Sequence, residues 1–226
     1  IIGIPRALPG AQTLPAVDAS WLNDSPLLFS LSAGAHTLTI KTEEGDAVLT
    51  AVSLRAASTP AEYAGQDAPG DQMIVLEAEN MAYRNKPSIH AAGGYDASLT
   101  PYSDQTRKLN YLSGDSLLTA GDAVTYRMQI DEAGWYHLAL YYQQTTRSDF
   151  PVFLDILTDG ETPSRAARRV HFPHSKSYTV GTATANGEAQ AFYFDEGEHL
   201  LTLRINNAPL ADAYADIRGM LEEINT

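Results

Sequence analysis

The chain has 226 residues, 44% of them hydrophobic, with a formal net charge of −13 and a sequence pI near 4.7. That hydrophobic share supplies a real core and excludes a disordered chain, and the acidic balance argues against a nucleic-acid binder, which needs a basic face for phosphates. With no cysteine there are no disulfides, thiol nucleophiles or cysteine metal sites. No run approaches the roughly 18 apolar residues of a membrane-spanning helix. No signal peptide is visible, and a chain that begins at Ile1 rather than Met reads as a mature or trimmed fragment.

Residues 1–26 carry Pro5, Pro9, Pro15 and Pro26, which argue against a long helix. Leu27–Leu31 and Ala35–Lys41 read as a hairpin, and Ala47–Arg55 as a further strand. Residues 1–57 thus form a first, partial β unit. A linker rich in small residues, Pro60 and Pro69 follows over 58–72. The second unit runs from Met73 to Thr226. It opens with a strand, MIVLEAEN, that sets Glu77 and Glu79 on one face. A long loop from Asn80 to Leu118 follows, with short strands near Lys108–Leu112.

The stretch Gly121–Tyr142 reads as two strands and a turn, a hairpin. Val124, Tyr126, Met128 and Ile130 alternate with more polar positions, the mark of a strand with one face buried. After the turn at Asp131–Gly134, Tyr136, Leu138, Leu140 and Tyr142 share one face, with Trp135 and Tyr141 on the other. That second pair reads either as a flat platform on the outer sheet or, the preferred expectation, as a face covered by the N-terminal unit. Beyond a polar loop at Gln143–Asp149 come a strand at Pro151–Leu157, a tight turn at Thr158–Gly160 and an extended piece at Arg168–Phe172. His171–Gln190 reads as mostly loop. Ala191–Phe194 and Glu198–Ile205 read as another hairpin. Asn206–Ala213 is an expected loop and Ala215–Ile224 a last strand, with no amphipathic helix in view. Many short strands with frequent turns predict an antiparallel β-sandwich. The core expected from strand parity is Val124, Tyr126, Met128, Leu138, Leu140, Leu201 and Leu203.

A short motif recurs. Gly34-Ala35-His36-Thr37-Leu38-Thr39-Ile40 matches Gly197-Glu198-His199-Leu200-Leu201-Thr202-Leu203, and Gly134-Trp135-Tyr136-His137-Leu138-Ala139-Leu140 has the same form. The shift that takes Gly34 to Gly197 also takes Leu54-Arg55 to Ile217-Arg218. Residues 27–55 therefore read as the end of an earlier copy, whose other strands lie elsewhere.

Catalytic patterns are weak. His171 and His174 near Asp155 and Asp159 lack a third ligand at metal spacing, and HEXXH is absent. Glu77 and Glu79, side by side on one strand, do not face each other across a cleft as a glycosidase pair must. The loops instead carry aromatic rings and amides, the groups that meet sugar C–H faces and hydroxyls: Tyr95, Tyr102, Asn110 and Tyr111 in one, Phe150 in another, Asn206 and Asn207 in a third.

The Glu77-Ala78-Glu79 strand, the Gly-rich loop, GDAVTYRMQIDEAGWYHLALYY and EGEHLLTLRI together resemble a jelly-roll carbohydrate-binding module related to families 6 and 35. Asn85-Lys86-Pro87-Ser88-Ile89, Asp159-Gly160-Glu161-Thr162-Pro163 and Arg169-Val170-His171-Phe172-Pro173 resemble β-domains fused to bacterial extracellular solute-binding proteins of sugar transporters. The resemblance covers residues 73–226. It implies a non-catalytic glycan-binding or accessory module, extracellular or at the bacterial cell surface, with further domains as partners. The alternative is a structural spacer or docking domain that binds no sugar. The resemblance also implies a structural calcium held by Glu77, Glu79 and Asp216, although Ala215-Asp216-Ile217-Arg218 departs from the family's Asp-aromatic-Ile ending. By their chemistry alone the glutamates fit a calcium site, a solvated strand face or hydrogen bonds to a loop.

Overall fold

The computed structural model describes residues 16–18, 25–41, 49–57, 60–65, 72–145 and 149–224. The proline-rich stretch through Pro15, the first residues of the strand expected over 47–55 and linker residues 66–71 lie outside them. In chain order the strands are β1 Tyr83–Arg84, β2 Ala91–Ala92, β3 Tyr111–Leu112, β4 Ala123–Ile130, β5 Gly134–His137, β6 Ala139–Gln144 and β7 Val152–Thr158. They continue as β8 Val170–Phe172, β9 Ser175–Thr182, β10 Thr184–Ala185, β11 Glu188–Ala189, β12 Ala191–Phe194 and β13 Gly197–Ile205. Among the described residues one α-helix, α1, spans Ala208–Ile224.

The architecture is an antiparallel β-sandwich. One layer is a five-stranded sheet in the order β1-β4-β13-β7-β8. The facing layer pairs β12 with β5 and β6 with β9. β5 and β6 are two halves of one extended run interrupted at Leu138, whose carbonyl accepts the Ala183 N–H at 2.8 Å. The β10–β11 hairpin is looped out between β9 and β12, and the Gln190 N–H closes it onto the Ala183 carbonyl at 2.8 Å.

The core fills the space between the layers. Met128, Ile130, Ile156, Phe172 and Leu201 come from the first, Phe192 and Phe194 from the second. Val124, Tyr126 and Met128 are buried as their parity predicts, and Leu138, Leu140 and Leu203 are half-buried against the same core. A side chain at Gly181 would put its Cβ 2.7 Å from Tyr142 Cε1 and 3.2 Å from Phe172 Cδ1. The glycine lets the Tyr142 ring stand edge-on to Phe172, with centroids 5.7 Å apart.

Neither hairpin expected in the second unit pairs with itself. β4 lies between β1 and β13, while β5 pairs with β12, so Asp131–Ala133 carries the chain from one layer to the other. Asp195–Glu196 carries it back from β12 to β13. The two crossings are neighbours: Ile130 stands opposite Gly197, and Phe194 opposite Gly134. A short turn between two alternating strands serves pairing or crossing equally well, and burial on both inner faces selects crossing.

Other expectations change too. Residues 73–77 belong to no ladder, and Ala78–Asn80 is a 3-10 turn, although Ile74 and Leu76 still pack on the core. The stretch expected as loop after His171 contains β9. The last strand expected at Ala215–Ile224 is α1. Its Ala, Leu, Met and Glu residues favour helix, and Asn206 caps it, its side-chain oxygen accepting the Ala208 N–H at 3.0 Å. Leu210, Tyr214, Ile217, Leu221 and Ile224 recur at alternating steps of four and three, a helical period. The hairpin expected over 27–41 is not formed: residues 28–41 and 49–57 join no ladder among the described residues. Leu28, Phe29, Leu38, Ile40, Leu49 and Leu54 are exposed there.

Candidate functional site

The face of the β5–β6 run that points away from the core carries aromatic rings. Trp135 is 37% and Tyr141 49% exposed, so among the described residues the N-terminal unit does not provide the expected cover. Each ring instead meets a tyrosine from the neighbouring strand. Trp135 crosses Tyr193 of β12 edge to face, at 5.4 Å and 64°. Tyr141 stacks on Tyr178 of β9 at 5.4 Å and 30°. Cross-strand pairing of β5 with β12 and β6 with β9 sets both contacts, since Tyr193 lies opposite Trp135 in register.

A cavity of about 230 Å³ opens beside Trp135 and Tyr193. Its far wall comes from the linker. Residues 60–65 are strapped to the sandwich: the Ala61 carbonyl accepts the Arg165 N–H at 2.8 Å, and Glu62 pairs with the Arg165 guanidinium at 2.8 Å. The Tyr63 hydroxyl accepts the Ala191 N–H at 2.9 Å. Glu62, Tyr63, Ser164 and Gln190 add polar groups to the wall. The Gln190 amide is buried. Oriented to satisfy its neighbours, it donates to the Ala166 carbonyl at 3.2 Å and accepts from Ser164 Oγ and the Ala167 N–H. Tyr193 has Asp195 beside it; hydrogen bonding to that carboxylate raises the phenol's pKa, so the hydroxyl keeps its proton as a donor.

The loop candidates are distributed as follows. Burial raises the pKa of Tyr178, and the charges of Tyr111, Asp96 and Tyr141 add to the rise, so this loop edge lies in the neighbourhood of the Tyr141–Tyr178 pair. Tyr95, Tyr102 and Phe150 are exposed. Asn110 is buried and clamps its own loop: its oxygen accepts the Gly94 N–H at 2.9 Å, and its amide donates to the carbonyls of Gly94 and Pro101 at 3.1 Å each. Asn206 is buried as well, donating to Asp155 Oδ1 at 2.8 Å while it caps α1. The Asn207 carbonyl accepts the N–H groups of Leu210 and Ala211. Asn110 and Asn206 therefore spend their hydrogen bonds on the fold. Sequence reasoning missed Tyr178, Tyr193 and the strap. A signal for Tyr193 was present, since it has the outward parity between buried Phe192 and Phe194.

Two carboxylates elsewhere, Asp155 and Asp159, hold partners of the fold. Asp155, 1% exposed, receives Arg204 Nη2 at 2.8 Å and the Arg169 N–H at 3.1 Å in addition to Asn206. Asp159 holds His199 Nδ1 at 2.7 Å and the Leu200 N–H at 2.8 Å. His171 packs on the Phe153 ring.

Glu79 is 4% exposed, and its Oε2 has no hydrogen-bond partner. Burial raises its pKa, and the charge of Glu77 adds to the rise. An orphaned buried carboxylate oxygen beside a second carboxylate suits a cation. Asp216, on the exposed part of α1, is not assembled with them: among the described residues no group of three His, Cys, Asp or Glu is placed to hold a metal.

No protein-family model and no curated protein matches the chain. Among solved structures it is similar to the Podospora anserina GH26-CBM35 β-(1,4)-mannanase, at 17% identity and a TM-score of 0.38 over 58% of this chain and 24% of that one. It is also similar to a Paenibacillus sp. cycloisomaltooligosaccharide glucanotransferase complexed with cycloisomaltoheptaose, at 16% identity and a TM-score of 0.38 over 65% of this chain and 17% of that one. The chain thus spans a quarter or less of each protein. At that level of likeness neither protein's activity transfers to it.

Proposed function

We propose that the chain is a non-catalytic carbohydrate-binding module, an accessory part of a secreted bacterial glycan-capture or sugar-transport protein. The observation that carries the reading is the cavity at Trp135 and Tyr193, where two exposed rings meet the polar wall of Glu62, Tyr63 and Ser164. Pyranose rings present C–H faces that lie against aromatic rings and hydroxyls that exchange hydrogen bonds with carboxylates and hydroxyls. Tyr141 follows Trp135 by six positions at the same outward parity, roughly 20 Å along an extended run. That separation suits an oligosaccharide laid along the layer, with Tyr178 and Tyr111 beside its second contact. Tyr95, Tyr102 and Phe150 are the exposed loop residues left to extend the site.

A structural calcium at Glu77 and Glu79 belongs to the same reading, as a counter-charge for Glu79's orphaned oxygen completed by backbone carbonyls and water. The melting temperature should then rise with added calcium and fall with chelator; an unchanged curve removes the metal.

Open aromatic sites bind modestly, with a Kd on the order of 0.1–1 mM, roughly 4–5.5 kcal/mol. Titration with neutral and acidic oligosaccharides, followed by NMR, tests the reading. Shifts centred on Trp135, Tyr193 and Tyr63 are expected. Silence across the panel from a folded chain leaves the spacer or docking domain as the better account.

A further inference from the structure

We propose that residues 27–41 form a closing strand that docks into a β-sandwich other than residues 72–224, filling there the slot that β13 fills here. The two segments share sequence: LSAGAHTLTIK over 31–41 and FDEGEHLLTLR over 194–204. They also share a conformation, one paired and the other not. Gly34 and Gly197 stand at φ 138° and 133°, a region glycine alone adopts readily. His36 Nε2 donates to the Ser32 carbonyl at 2.8 Å, and His199 Nε2 to the Asp195 carbonyl at 2.9 Å, each four residues back. The same glycine turn and the same histidine latch precede both strands.

Their surroundings differ. β13 lies between β4 and β7. Leu201 is 5% exposed, Thr202 shares a hydrogen bond with the Thr125 hydroxyl at 2.8 Å, and Arg204 reaches buried Asp155. Leu38 and Ile40, at the positions of Leu201 and Leu203, are 50% and 57% exposed. Thr39 and Lys41 repeat the hydroxyl and the cation. The slot in this sandwich is already occupied, so the partner is a second one. It offers a gap between two antiparallel strands, an apolar inner face for Leu38 and Ile40, and a buried carboxylate opposite Lys41, as Asp155 stands opposite Arg204. Strand addition of this kind draws its affinity from main-chain hydrogen bonds and its selectivity from alternate side chains.

The slot of β13 is itself the probe. Writing residues 32–40 into positions 195–203 requires Asp195→Ser, Glu196→Ala, Glu198→Ala, Leu200→Thr and Leu203→Ile in the full chain. A companion variant keeps Leu203. Urea unfolding is measured on both, and hydrogen exchange on the unaltered chain. The expected result is one cooperative transition in both variants, with amides 35–41 unprotected and 198–204 protected in the monomer. Loss of the transition in the five-fold variant alone is a repacking defect at one side chain and leaves the equivalence standing. Loss in both variants shows that the segment does not fit such a slot, and protection of 35–41 in the monomer shows that this chain already covers it. Either result overturns the proposal.

Discussion

The two layers of the sandwich are built differently. The β1-β4-β13-β7-β8 sheet is continuous, and its central strand β13 is paired along both edges. The facing layer is broken at Leu138, loops out a hairpin and turns aromatic rings to solvent. In this account the continuous sheet carries the stability and the broken layer carries the recognition. Substitutions should separate the two.

The largest effects belong to the continuous sheet. Asp155→Ala removes a buried carboxylate partner of Arg204 and an acceptor from Asn206 and the Arg169 N–H. Breaking a buried pair from one side should cost about 3–5 kcal/mol, read by urea unfolding. Ile156→Ala, at a fully buried position of β7, should cost about 2–5 kcal/mol by opening a cavity. Gly181→Ala, where the layers meet at Tyr142 and Phe172, is a smaller test at about 1–3 kcal/mol.

A pH effect follows from His199. The hydrogen bond to Asp159 raises its pKa above 6.5 against opposing burial, and both ring nitrogens face acceptors. A raised histidine contributes stability that is full below pH 6.5 and lost as pH rises through the folded-state value. The melting temperature should therefore fall as pH rises from 6.5, and His199→Gln should flatten that fall. A wild-type curve as flat as the variant's would contradict the assignment.

What the sequence disclosed follows the same division. The strand Ala123–Ile130 was legible because one face is buried and the alternation is strict. β9 was not: Ser175, Lys176, Ser177 and Thr179 are polar, and a half-exposed strand has little need of an apolar face. The crossings at 131–133 and 195–196 were hidden because two amphipathic strands joined by a short turn satisfy either pairing. α1 was misread because Ala215 and Ile217 alternate with charges, while its step of four and three extends over a longer window. At the site, Trp135 and Tyr141 were seen as one outward face, but the docked strap and Tyr193 depend on pairing between distant segments. Asn206 drew attention as a ligand group, and the fold uses it as a cap.

The smallest stability change and the largest binding change should come from one substitution. Trp135→Ala, on the outer face, should move the unfolding free energy by no more than about 0.5–1 kcal/mol. The decisive measurement is a paired one: oligosaccharide affinity by NMR titration and urea unfolding, on the unaltered chain and on Trp135→Ala. The account predicts binding by the first and none by the second, at nearly equal stability. Equal affinity in the two, or binding shifts that leave Trp135, Tyr193 and the Tyr63 strap unmoved, would contradict it.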